Sequence, residues 1–282
     1  MIPADFDYVA PDSLEAAIRM LKESGDDAKL LAGGHSLLPL MKLRLAAPLL
    51  LVDLRKVPGL RGIERSNGGW RIGAMTPHTE VEHAPDLGIV SAAAATIADA
   101  QVRNRGTIGG SLAHGDPASD LPAVMLVTEA SVTLQGSDSQ RSLAAADLFR
   151  DYLETAVASD EVLTEIHLPA MDGWGWGYQK FNRRSEDWAM VAVSAVVKTN
   201  DGQVEDVRVG LTNMGSVPLR AAALEAALRG QPANAESIAR AALQAAEGTD
   251  PPPDLNASAE YKRHLARVLA RRALERAAGL SS

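Results

Sequence analysis

Adjacent glycines stand beside a serine in two places, Ala32-Gly33-Gly34-His35-Ser36 and Thr107-Ile108-Gly109-Gly110-Ser111. Glycine lets the backbone turn sharply and lets main-chain N–H groups point into a concavity, which holds phosphate oxygens without any side chain. A diphosphate needs several such donors, so two motifs converging from different parts of a fold suit a dinucleotide. Neither is a G-x-G-x-x-G fingerprint, and no Gly-Lys pair marks a P-loop. Taken alone, each pair is also what a tight turn requires, and spacing leaves both readings open.

Other chemistry-bearing residues are fewer. Lys42 and Arg44 alternate in MKLR and would share one side of an extended segment, where they offset a cofactor's charge, meet a partner or form a solvated edge. His114, Asp116 and Asp120 are metal-ligand types, but Pro117 and the small residues between them suit a turn. His35 lies inside the first motif, whereas His78, His83, His167 and His264 read as surface or structural. No Ser-His-Asp arrangement emerges. Five aromatics, Trp174, Trp176, Tyr178, Phe181 and Trp188, crowd one stretch; the first four read as core or a domain junction. The basic run Lys262, Arg263, Arg267, Arg271, Arg272 and Arg276 reads as a solvated helix face complementing the helix dipole, or as a docking face for a sister subunit.

Composition narrows the field. The chain has 282 residues, 46% of them hydrophobic, enough for two domains or one large one with an appendage. A formal charge of −8 argues against nucleic acid as a partner. The absence of cysteine excludes disulfides, thiolate nucleophiles and cysteine-ligated clusters on this chain. No stretch reaches the roughly 20 apolar residues of a transmembrane helix, and the first ten residues lack the regions of a signal peptide. The expected location is the cytoplasm.

The elements that must position the motifs follow from periodicity. Ser13 to Glu23 is predicted as a helix capped by Asp12 or Ser13, with Leu14, Ala17, Ile18 and Leu21 on one face and Gly25 as its stop. Strands are predicted at Ala28–Leu31 and Leu49–Leu54, giving a β-α-β-like opening. Hairpins follow around Asn67-Gly68-Gly69 and in VTLQGSDSQRSL, with one alanine-rich helix over Gly88–Val102 between them. A glycine- and tryptophan-rich junction at Met171–Gly177 precedes a hairpin turning at Asn200-Asp201-Gly202. Helices are expected at 221–229, 233–246 and 260–278. The expected division is 1–56, 57–172 and 173–282.

The strings AGGHSLLPLMKLR and RNRGTIGGSLAHGDPASD resemble the FAD-binding medium subunit of the molybdenum hydroxylases, the group of bacterial carbon monoxide dehydrogenase and the flavin domain of xanthine dehydrogenase. LVDL, LETAVASDEVLTEIHLP and KFNRRSEDWA follow in the family's order. The resemblance implies an α+β fold: a vanillyl-alcohol oxidase-type FAD-binding domain of two α+β subdomains, then a C-terminal domain of antiparallel strands and helices. It implies noncovalent FAD held by Lys29, Leu30, Leu31, Ala32, Gly33, Gly34, His35 and Ser36, and by Thr107, Ile108, Gly109, Gly110 and Ser111. Asp120 would hydrogen-bond the cofactor, Leu163 would pack near it, and Lys180 would approach the flavin. Trp188, in the RRxxDWA string, is the expected shield of one ring face; Glu186 replaces a glycine common there in the carbon monoxide dehydrogenase branch.

No catalytic residue and no metal ligand is expected on this chain. The implied partners are an iron–sulfur small subunit with [2Fe-2S] clusters and a large subunit with the molybdenum cofactor, in a dimer of heterotrimers. Electrons would pass from the clusters to FAD and on to NAD or another acceptor. The alternatives are a self-contained flavin-dependent oxidoreductase of the same fold and a flavin-free accessory subunit.

Overall fold

Ser13 starts the first helix by accepting a hydrogen bond from the Ala16 amide at 3.2 Å, and Gly25, at φ +54°, stops it. The computed structural model describes residues 2–66 and 68–280. The chain opens with β1 (Asp7–Val9), α1 (Leu14–Ser24), β2 (Ala28–Leu31), α2 (Leu37–Lys42) and β3 (Leu50–Asp53). The strands form a parallel sheet in the order β1-β3-β2, and Ala17, Ile18 and Leu21 of α1 pack on it. Central in that sheet, β3 is apolar throughout Leu50–Val52, as a strand covered on both faces must be.

The expected extended reading of MKLR is corrected. Lys42 ends a helix and Arg44 sits at φ +58°, so the two do not share a strand face. Pro39 lies in the first turn of α2, where no amide is missed.

Next come β4 (Ile63–Ser66), β5 (Gly69–Gly73), α3 (His78–Glu82), α4 (Ile89–Ala94), α5 (Ala100–Arg103), α6 (Ile108–His114), α7 (Asp120–Val127), β6 (Ser131–Gln135), β7 (Gln140–Ala144), α8 (Ala145–Leu148), β8 (Phe149–Asp151), β9 (Glu154–Thr155) and β10 (Val162–Pro169). An antiparallel sheet in the order β4-β5-β10-β6-β7 packs Ile72, Val132, Leu134 and Ile166 against Val90, Leu121, Val124 and Met125 of the helices. The expected turn residue Asn67 lies outside the described residues, but the strands flanking it pair antiparallel. The single helix expected over Gly88–Val102 is corrected: α4 ends at Ala94, and Ala98 takes φ +42° before α5 begins. That break has a use in the site.

The last segment is β11 (Trp174–Phe181), β12 (Val191–Asn200), β13 (Gln203–Thr212), β14 (Leu219–Arg220), α9 (Ala222–Leu228), α10 (Ala235–Ala242) and α11 (Ala259–Ala277). The strands form an antiparallel sheet in that order. Asp201 and Gly202, both at positive φ, make the tight β12–β13 turn.

The WGWGY run explains how this sheet is seated. Trp174, Trp176 and Tyr178 point into the main core, while Gly175 and Gly177 point the other way. A side chain at either glycine would strike the α11 backbone at Ala277 or Ala273, so glycine is what lets helix and strand touch. Along β12, Ala192 and Val196 face the main core, and Val191, Val193, Ala195 and Val197 face the core beneath α11. The solvated reading of the final helix is corrected at Lys262, which is fully buried and donates to the Pro252 carbonyl at 2.7 Å beside Asp254 at 2.8 Å. Among the described residues, no helix is long and apolar enough to cross a membrane.

Candidate functional site

The first glycine motif begins where β2 runs out at Leu31. A Cβ on Gly33 would collide with the Arg105 carbonyl oxygen and come within 2.6 Å of the Gly106 Cα. The first motif therefore rests on the two residues just ahead of the second. Gly34 turns the chain at φ +79°, and α2 starts three residues later. Among the described residues, the amides of Gly33, Gly34, His35 and Ser36 have no protein acceptor, and the Ser36 side chain makes no cap. Four consecutive open donors remain.

The second motif is built otherwise, which corrects the expectation of a turn with outward amides. Thr107 is the N-cap of α6, and Gly109 and Gly110 lie in its first turn. The Ile108 amide donates to the Thr76 carbonyl at 3.0 Å, Gly109 to the Ala74 carbonyl at 2.9 Å, Gly110 to Thr107 Oγ1 at 3.2 Å and Ser111 to the Thr107 carbonyl at 3.0 Å. Here glycine allows close approach: a Cβ on Gly109 would lie 2.8 Å from the Ala74 Cα, and one on Gly110 would lie 3.5 Å from the Ala32 Cβ of the first motif. The two motifs touch across the mouth of a cleft of about 560 Å³.

A third wall comes from β11. Period two carries the face of Trp174, Trp176 and Tyr178 on to Lys180. Lys180 Nζ meets Asp120 Oδ2 at 3.0 Å and donates to the Thr96 carbonyl at 2.9 Å, and both charged side chains are almost wholly buried. The Thr96 carbonyl is free because α4 breaks before it. Tyr178 donates its hydroxyl to Asp120 Oδ1 at 2.6 Å. Burial pushes the Asp120 carboxyl above its ordinary range, opposed by Lys180 and by the Tyr178 hydrogen bond. Burial and the Asp120 charge push the Tyr178 phenol well above its own, so it stays a donor.

Most of the expected site residues come together in the cleft: Lys29, Leu30, Ala32, Gly33, Gly34, His35, Ser36, Thr107, Gly109, Gly110, Ser111, Asp120, Leu163, Lys180 and Trp188 all line it. Leu31 and Ile108 do not; Leu31 packs with Met41 and Leu51, and Ile108 lies in the main core. Trp188 is 56% exposed at the rim, free to cover a planar group rather than fill a core.

The sequence suggests only a surface or structural role for His78 and a core or junction role for Tyr178; the structure puts His78 in the cleft wall and the core residue Tyr178 directly behind it. The alternation in WGWGYQK carried the signal for Tyr178, which shares a face with Lys180. His78 gave none, because only the bridge between Pro77 and Thr107 brings it to the cleft. It is buried beside Gly106, its Nδ1 has no partner among the described residues, and burial, followed by the His35 and Arg103 charges, pushes it down to about 4.

Residues 4–171 match the family model of the FAD binding domain in molybdopterin dehydrogenase, and residues 176–277 match the CO dehydrogenase flavoprotein C-terminal domain. The chain belongs to this flavoprotein family. It is 40% identical to the carbon monoxide dehydrogenase medium chain of Hydrogenophaga pseudoflava, over 98% of both chains. It is 38% identical to the 6-hydroxypseudooxynicotine dehydrogenase complex subunit alpha of Paenarthrobacter nicotinovorans, over 98% of this chain and 96% of the other. A carbon monoxide dehydrogenase structure from Hydrogenophaga pseudoflava, which lacks the Mo-pyranopterin moiety of its cofactor, superimposes over the whole of both chains with a TM-score of 0.96 and 42% identity. The flavoprotein is thus an oxidoreductase subunit of the medium-chain type with an FAD-binding domain, and the cleft is the candidate site for that cofactor. The residues fit it: an unbroken run of open amides suits phosphate oxygens, a glycine surface leaves room for close approach, and a buried cation stands at the far wall.

Proposed function

We propose that this chain is the electron-transfer subunit of a heteromeric molybdenum hydroxylase. Bound FAD supplies an acceptor and donor of electrons singly or in pairs, linking iron–sulfur clusters on a small partner subunit to NAD or another external acceptor. The partners in this reading are that small subunit and a large molybdenum-binding subunit, in a dimer of heterotrimers, in the cytoplasm. The chain itself divides at 1–56, 57–172 and 173–282, with the last unit closing the cleft.

The observation that carries the reading is the row of four open amides from Gly33 to Ser36, facing a cleft whose opposite lip is the second glycine motif. These amides bind the diphosphate oxygens, and Gly110 keeps the opposite lip low enough for them to approach. Asp120 offers its remaining lone pairs to polar groups of the cofactor. Lys180 presents positive charge to the flavin and favours its reduced, anionic form. Trp188, exposed at the cleft rim, would shield the bound cofactor and limit water. His78 packs beneath the junction of the two motifs.

Substrate choice resides on another chain. The two relatives are almost equally similar to this one, at 40% and 38%, yet their names specify carbon monoxide and 6-hydroxypseudooxynicotine. The test is to capture the native complex through a tag on this chain, then measure flavin released on denaturation, metal content and the accompanying polypeptides. The reading expects FAD, molybdenum, iron and two further chains. A lone, colourless polypeptide from cells replete in flavin would refute it.

A further inference from the structure

Asp120 and Lys180 form a buried pair whose side chains are 4% and 5% exposed. A pair taken out of water is favourable only where its geometry is held and its remaining donors and acceptors are met. Here each partner can be followed. Asp120 Oδ2 accepts from Lys180, and Oδ1 accepts from Tyr178. Of the three ammonium N–H groups of Lys180, one goes to Asp120 and one to Thr96. Lys180 lines the cleft, and its third N–H has no acceptor among the described residues.

Tyr178 does not line the cleft and touches no candidate ligand directly. Its ring belongs to the main core, where phenylalanine would fill the same space. The hydroxyl adds the 2.6 Å bond to Asp120, with the Thr96 side chain beside both groups. Burying a hydroxyl is costly unless it is bonded, and this one is bonded to a charged acceptor in the cleft wall.

We infer that Tyr178 is a positioning residue of the flavin site: its hydroxyl fixes the Asp120 carboxylate, which in turn keeps the Lys180 ammonium turned toward the cleft. The inference rests on the reading above that Lys180 faces the flavin. Without the hydroxyl, Oδ1 loses its donor, and the freed carboxylate competes with the cleft for the third N–H of Lys180. The cation is drawn back, and reduced flavin loses more stabilisation than oxidised flavin.

The test compares the FAD-loaded complex as wild type, Tyr178→Phe and Lys180→Met, reading FAD affinity and the flavin midpoint potential. For Tyr178→Phe the affinity for reduced relative to oxidised flavin falls about tenfold, a midpoint ~30 mV more negative for a two-electron couple. Lys180→Met moves the potential the same way and further. A wild-type potential in Tyr178→Phe, with Lys180→Met shifted, overturns the role of Tyr178. Wild-type affinity and potential in Lys180→Met overturn the flavin-site reading itself. Should Tyr178→Phe fail to accumulate, 3-fluorotyrosine at position 178 keeps the shape and makes the hydroxyl a stronger donor. The potential then rises; an unmoved potential again overturns the proposal.

Discussion

The two glycine motifs share a Gly-Gly pair and a following serine, and they use the pair in opposite ways. At Gly33 and Gly34 the chain leaves a strand and exposes four amides with no acceptor among the described residues. At Gly109 and Gly110 every amide from Ile108 to Ser111 is already bonded within the protein, and the missing side chains serve to bring α6 against Ala74 and Ala32. One motif is a donor array; the other is a fitted surface that holds the array's opposite wall in place. A glycine pair alone does not distinguish these roles. What the amides are bonded to does.

The comparison breaks if substitutions in the two motifs have the same effect. The largest expected change is in Gly109→Ala, which forces a methyl group onto the Ala74 backbone; stability falls by about 3 kcal/mol, while the folded fraction keeps FAD affinity close to wild type. Thermal unfolding together with flavin titration separates the two quantities. Gly33→Ala reverses the pattern. The new methyl pushes the first motif off Arg105 and Gly106, and FAD affinity drops roughly a hundredfold, about 2.7 kcal/mol, with a smaller loss of stability because the contact lies at the mouth of an open cleft.

His78 sharpens the comparison, since it packs against Gly106 between the motifs. Its folded value of about 4 lies below the ordinary 6.5, so the unfolded chain takes up this proton more readily than the native one. Its contribution is fully present above pH 6.5 and is lost as the pH falls toward 4, amounting to about 2 kcal/mol by pH 5. His78→Gln removes that part of the acid sensitivity, which denaturant midpoints at pH 7 and pH 5 report. The smallest effect is expected for Thr107→Ala. Losing the N-cap of α6 costs about 1 kcal/mol and leaves FAD affinity within roughly threefold, because the Gly110 amide it frees lies in the fitted surface.

Where local chemistry decides the structure, the sequence was readable. Ser13 and Gly25 bound α1 as their cap preferences require, the hairpins turn at their glycine and aspartate signals, and β3 carries the unbroken apolar run of a covered strand. The candidate site was legible as a set of residues because two motif strings carry most of it. What each residue does was less so. The break of α4 before Thr96 leaves free a carbonyl whose partner, Lys180, lies 84 residues along the chain. Lys262 reads as one of a row of solvated cations, yet the proline-rich segment folds over it. His78 becomes part of the cleft through one bridge to Thr107. Each of these is decided by a distant partner, and periodicity has no access to that.

Amide hydrogen exchange with and without FAD tests the central claim most directly, following the peptide that spans Gly33 to Ser36 and the one that spans Ile108 to Ser111. The account predicts fast exchange at the first in FAD-free protein, slowed at least about tenfold when FAD binds, and slow exchange at the second in both states. Slow exchange at Gly33 to Ser36 without FAD, or FAD-dependent protection confined to Ile108 to Ser111, would contradict it.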